Sequence, residues 1–291
     1  MSDELSSGKG HRDENFPVAS LLIARRHRPP VMAFYAVARM ADDIADHAET
    51  SPEDKLARLA AIQASLEGQD DEIAPAAHLR EVMRARGVSG QHILDLLEAF
   101  RRDARKTRYA DWGELMDYCR YSAAPVGRFV LDVHGEGRAT WPASDALCAA
   151  LQVINHLQDC GEDYRRLDRV YVPLDSLSQA GVEVSALGAA SASAALREVI
   201  SALAGRTLGL LETARTLAGQ VRDVRLSLEI GVIHRLAVSL ATRLKRRDPL
   251  SEKVHHRPVE ALGAASVGAA EALIARFGGS AKPQTGAIGT Q

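Results

Sequence analysis

A chain of 291 residues, 46% of them hydrophobic, is long enough to bury a sizeable core in one large domain or two small ones. Aromatic residues make up only 4%, and a chain rich in alanine and leucine suits packed helices better than β-branched, aromatic sheet. A formal charge of −2 with 25% charged residues provides no global basic field, so general nucleic-acid binding is excluded and any phosphate binding must be local.

Residues 1–13 and 278–291 are polar, without periodic apolar positions, and are expected to be disordered tails flanking one domain over 14–277. The N-terminus has no apolar signal stretch, and no run approaches the ~18 apolar residues of a membrane span. A soluble, cytoplasmic protein is expected, with any membrane contact peripheral. Cys119, Cys148 and Cys160 show no paired spacing and read as reduced thiols.

Predicted helices begin with 16–26 and 31–48, separated by Pro29 and Pro30. Ser51 caps a third, with Pro52 at its first position, Asp54 at its third and Gly68 at its end. Others follow over 76–86, 91–106, 112–134 (kinked at Pro125) and 145–166, with Gly87, Gly135 and Gly137 as stops. The last third reads as 194–220, 222–247 and 258–277. No strand alternation competes, so the chain is predicted to be all-α.

Two of these helices carry an unusual polar stripe. Along 31–48, Phe34, Val37, Ala41, Ile44 and Ala48 form an apolar face, while Tyr35, Arg39, Asp42 and Asp46, with Asp43 adjoining, share the other. The helix near Asp159 repeats the pattern: Val153, Leu157, Cys160, Tyr164 and Leu167 make its seam, and Asn155, Gln158, Asp159, Glu162 and Asp163 line another face. Like charges at i and i+4 cost a few tenths of a kcal/mol, a cost that a multivalent cation turns into attraction. One such pair is usually a solvated face; two facing pairs suit a diphosphate clamp, because magnesium takes oxygen ligands and is shared between one or two carboxylates and substrate phosphates. Asp42, Asp46, Asp159 and Asp163 are therefore the candidate Mg2+ ligands.

At these motifs the sequence resembles the squalene and phytoene synthase family. The two aspartate-rich signatures of that family look like residues 42–46 (DDIAD) and 155–163 (NHLQDCGED). Tyr118-Cys119-Arg120-Tyr121 leading to Pro125-Val126-Gly127 looks like its tyrosine-rich segment, and Arg169-Val170-Tyr171-Val172-Pro173 is similar to the stretch after its second aspartate motif. The likeness covers about 15–247. Two features resemble the bacterial branch that makes hydroxysqualene on the route to hopanoids. One is the opening 14–20 (ENFPVAS), with Asn15 and Phe16; the other is Gln158, where most family members carry arginine.

The resemblance implies a single-domain isoprenoid synthase helical bundle with a central cavity, which ionises presqualene diphosphate and releases hydroxysqualene and pyrophosphate. It also implies that Arg39 reaches a phosphate oxygen and that Arg169 and Tyr171 belong to the site. Asp43, Asn155, Glu162, Gln158, Asn15 and Phe16 are further substrate-binding candidates, and Tyr118 and Tyr121 stabilise cations or orient water. Periodicity alone reads Arg39 as pairing with Asp42 or Asp43, and the two tyrosines as core aromatics. No GxGxxG follows a strand, so no NADPH is expected. The basic runs at 101–108 and 243–247 read as solvated faces, with anionic lipid as a secondary partner. The isolated histidines His47, His134, His156 and His234 read as structural. The rival activities are head-to-head condensation of two prenyl diphosphates and, in another class, a silent isoprenoid-binding or assembly-factor relative.

Overall fold

A computed structural model describes residues 22–278; the expected tail at 1–13, the expected tail at 278–291 from residue 279 on, and Asn15 and Phe16 lie outside the described residues, while Gly278 is the last residue of a helix. Residues 22–27 form turns rather than the end of a helix. The first helix, α1 (Arg28–Asp46), begins three residues earlier than predicted, because Pro29 and Pro30 sit inside its first turn, where an N–H has no intrahelical acceptor to lose. α2 (Pro52–Glu67) is capped as expected: the Ser51 hydroxyl accepts from the Asp54 amide at 3.1 Å, and Gly68 closes it at φ +77°. α3 (Ala74–Arg86) and α4 (Gln91–Asp103) follow.

Three helices predicted as continuous are broken, the one over 194–220 at residues 215–216. Over 112–134 the chain forms α5 (Trp112–Ser122) and α6 (Ala124–Val133), joined at Ala123, with Pro125 in the first turn of α6. A proline there has no N–H to continue the α5 ladder, so the axis stops instead of kinking. Over 141–167 the chain forms α7 (Trp141–Gln158) and α8 (Cys160–Leu167), with Asp159 as the joint. α9 (Leu174–Gln179), α10 (Ala194–Ala214), α11 (Leu217–Gln220), α12 (Val224–Leu244) and α13 (Pro258–Gly278) complete the described chain. A single bridge, Arg108 to Val170, is the β pairing among the described residues.

Two buried clusters organise the packing. One joins α1 to α4 through Val37, Leu59, Leu79, Ile93 and Leu97, and reaches α6 where Phe34 stacks on Phe129 at 4.2 Å. The other gathers α5, α7, α10 and α12 around Ile154, Leu196, Leu203 and Leu240. Val130 of α6 packs against both. α13 lies antiparallel on α12, and the backbones touch at Gly231 and Gly268: a Cβ on either would run into the carbonyl of the other. The three cysteines are free, and burial pushes their thiols up to about 12, which leaves them unreactive.

Candidate active site

The C-terminal half of α1 places Asp42, Asp43 and Asp46 at its exit, and Arg39 spans the first two. Its guanidinium donates to Asp42 Oδ2 at 2.9 Å and to Asp43 Oδ1 at 2.6 Å. Asp46 points the other way and accepts from Arg169 at 2.5 Å. Arg169 is buried, and it ties three segments together by also donating to the carbonyls of Ala45 at 2.8 Å and Asp103 at 3.4 Å. Lys55 of α2 donates to the same Ala45 carbonyl at 2.9 Å, and burial followed by the charge of Arg169 lowers its pKa.

Asp103, the last residue of α4, is the centre of this network. It is buried and accepts from the Tyr118 hydroxyl at 2.8 Å and the Tyr171 hydroxyl at 3.2 Å. Burial raises it to about 6, opposed first by Arg169. The rings form a wall: Tyr109 stacks on Tyr171 at 5.5 Å, Tyr118 lies 5.1 Å from Tyr109, and His156 stacks on Tyr171 at 3.5 Å. Burial, then Arg169, holds His156 down to about 3. It is therefore neutral, and its 4.0 Å approach to Asp163 is not an ion pair.

The second aspartate motif reaches this place through the helix break. Cys160 and Gly161 turn α8 beneath the short turn Val184–Gly188, where a Cβ on Gly161 would meet the Leu187 carbonyl at 3.3 Å. The turn carries Asp163 to where Asp46 acts on it. Burial, then Asp159 and Asp46, raises Asp163 to about 7. Asp42 is likewise raised to about 7, by burial, then Asp46, although 37% of its side chain is reached by solvent. The two motifs thus feel one another through Asp46, with Arg169 the cation between them.

A profile of the squalene/phytoene synthase family matches residues 10–260. The chain belongs to that family. It is similar to hydroxysqualene synthases of Rhodopseudomonas palustris, 52% identical over 94% of each chain, and of Zymomonas mobilis, 52% identical over 92% of this chain and 91% of that one. Among solved structures it is similar to a squalene synthase from Alicyclobacillus acidocaldarius. That match has 32% identity and a TM-score of 0.70, over 79% of this chain and 87% of that one.

In this squalene/phytoene synthase chain, Arg39, Asp42, Asp43, Asp46, Asp163, Tyr118, Arg169 and Tyr171 come together, with Asp159 at the joint and Asn155 one turn before it. Three other predicted residues make contacts of a different kind. Tyr121 is covered by the Arg102 guanidinium 4.0 Å above its ring. Glu162 pairs with Arg166 at 2.7 Å on an exposed face. Gln158 is buried and donates to the carbonyl of Val254, so it fastens α7 to the segment before α13. The sequence reading missed Asp103, Tyr109 and Lys55. A recess of about 710 Å³, lined by residues such as Ile230, His234 and Ile274, lies on a different part of the fold from the aspartates.

Among the described residues no three His, Cys, Asp or Glu side chains close a metal shell by themselves. The donors nevertheless fit magnesium, which keeps waters and needs only one or two carboxylates when a substrate supplies phosphate oxygens. Mutually repelling, partly buried carboxylates have a measurable signature. Asp42, Asp103 and Asp163 bind protons more tightly than the ordinary carboxylate value of 3.8. Stability from these groups is present below that value and is lost as pH rises through about 6 to 7. Without divalent cations, the melting temperature is expected to fall by a few degrees between about pH 5 and about pH 8, and by less in Asp163→Asn. An equal fall in the variant would show that Asp163 carries no such strain.

Proposed function

We propose that this protein ionises presqualene diphosphate and releases hydroxysqualene, with water as the final nucleophile and magnesium at the diphosphate. The relationship that carries this reading is 52% identity, over 94% of each chain, to a hydroxysqualene synthase. In the reaction a carbon–oxygen bond breaks, its electron pair leaves with pyrophosphate, and the carbocation rearranges. Water then adds through oxygen and loses a proton to solvent.

The residues divide that work. Asp42, Asp46, Asp159 and Asp163 would hold the magnesium, whose chemistry is to neutralise charge on the phosphate oxygens. Arg39 is held by Asp42 and Asp43, and a diphosphate competing for it would gain a charge-assisted contact. Arg169 and Lys55 keep the rear of the site cationic without facing it with free carboxylates. Tyr118 and Tyr171 spend their hydroxyl protons on Asp103, which leaves the electron-rich faces of their rings, and that of Tyr109, to stabilise positive charge. Neutral His156 adds an aromatic surface without adding a cation.

A second reading follows from the similarity to a solved squalene synthase: hydride, rather than water, would end the sequence. One experiment separates them. Presqualene diphosphate supplied with magnesium in oxygen-18 water is expected to give labelled hydroxysqualene, in the same yield with or without NADPH. Squalene formed in proportion to NADPH would replace the first reading with the second. Consumption of farnesyl diphosphate alone would assign the earlier condensation as well.

A further inference from the structure

A helix on a protein surface normally turns its polar side to water. α13 does the reverse. Its charged side chains all bond inward: Glu260 accepts from Arg243 at 3.0 Å, Glu271 lies 3.6 Å from Arg235, and Arg276 donates to the carbonyls of Val221 and Arg222 at 3.0 and 2.7 Å. The outer face carries no charge. Val259 is 82% exposed, Leu262 and Ile274 are each 70% exposed, and Val267 and Leu273 accompany them. The helix cannot roll to hide these residues, because the backbone contact of Gly231 with Gly268 fixes its inner face against α12.

What covers this face is indicated by the charge beside it. The turn joining α12 to α13 lies next to Val259 and Leu262. Residues 243–260 hold six cations (Arg243, Lys245, Arg246, Arg247, Lys253, Arg257) against three acids (Asp248, Glu252, Glu260), in a chain whose formal charge is −2. Arg243 and Arg247 are taken up by Glu260 and Glu252. Lys245, Arg246, Lys253 and Arg257 are exposed and form no ion pair among the described residues. We propose that the apolar outer face of α13, with the cationic turn at its N-terminal end, docks the protein on an anionic lipid surface. α13 is not long and apolar enough to cross a membrane, so it lies in the interface with its apolar side chains among the acyl chains. The proposal rests on the reading above, in which substrate and product both carry long hydrocarbon chains that partition into such a surface.

The test uses the full chain and vesicles of phosphatidylcholine, with or without phosphatidylglycerol, in a flotation assay. Binding is expected only with phosphatidylglycerol present and should weaken as salt is raised. The double variant Leu262→Glu/Ile274→Glu should bind about a hundredfold more weakly, since two buried side chains are lost to the interface. Both positions are solvent-facing, so the variant's melting temperature and its activity on detergent-dispersed presqualene diphosphate should be unchanged. Undiminished binding by the variant, or no binding by the wild type, overturns the proposal. So does a concentration-dependent dimer in sedimentation that the variant dissolves, because the face then belongs to a second copy. If the wild type binds vesicles but releases no pyrophosphate from presqualene diphosphate, the surface stands and the assigned reaction falls.

Discussion

Asp42→Asn and Asp159→Asn are each expected to lower turnover by about two to three orders of magnitude while leaving the helical content intact. The argument is electrostatic. Burial, then Asp46, raises Asp42 to about 7, and burial, then Asp159 and Asp46, raises Asp163 to about 7, so both aspartates stand in a partly buried cluster of like charge. Such a set costs stability when empty and gains it when a divalent ion and a diphosphate neutralise it. Removing one charge therefore relieves repulsion in the free protein, so its melting temperature should hold or rise, while a ligand is lost for the magnesium that would neutralise the departing pyrophosphate. Glu162→Gln provides the contrast, because Glu162 sits in an exposed pair with Arg166, and exposed pairs contribute at most about 1 kcal/mol. Its turnover should stay within about twofold of wild type. Unchanged turnover in Asp42→Asn and Asp159→Asn, or an equal loss in Glu162→Gln, would remove these aspartates from the site.

The parts of this site that could be read from the sequence are those with a period. Asp42 and Asp46 recur one turn apart on a face opposite Val37, Ala41 and Ile44, and that contradiction of an ordinary amphipathic pattern is visible without coordinates. Asp103 has no such signal. It follows Arg101 and Arg102, and a lone acid in a basic run reads as one half of a surface pair. Only the tertiary fold delivers Tyr118, Tyr171 and Arg169 to it, across separations of 15 to 68 residues. Lys55 is hidden for the same reason, since its carbonyl partner at Ala45 lies on the preceding helix. The joint at Asp159 has no signal in the sequence because Cys160 and Tyr164 continue the apolar period past it. Just past the break Gly161 sits close against Leu187, where an added Cβ would meet the carbonyl at 3.3 Å, a contact between segments distant in sequence. Gln158 shows the converse: its place beside the motif suggests substrate, and the fold adds a contact that the sequence does not show, a hydrogen bond from its amide to the Val254 carbonyl.

Arg169→Met is expected to destabilise the protein by about 2–4 kcal/mol. The figure lies toward the low end of the range for buried pairs, because the Arg169 side chain is 7% exposed whereas that of Asp46 is 42% exposed and keeps part of its hydration. Three consequences of the loss can be separated. Asp46 loses its cation, the Ala45 carbonyl keeps only Lys55, and Asp103 loses the charge that most opposes the rise in its proton affinity. Denaturant unfolding should therefore show a lower midpoint with an unchanged slope. Adding Asp46→Asn to Arg169→Met should recover part of the stability, since the uncompensated carboxylate disappears along with its partner. Adding Glu162→Gln instead should recover nothing. With Asp103 ionising at still higher pH, Tyr118 and Tyr171 would share their hydroxyl bonds with a protonated partner over a wider range. Activity of the single variant should accordingly rise through a more alkaline midpoint than in wild type. A midpoint of unfolding equal to wild type would mean that Arg169 does not hold the two aspartate motifs together.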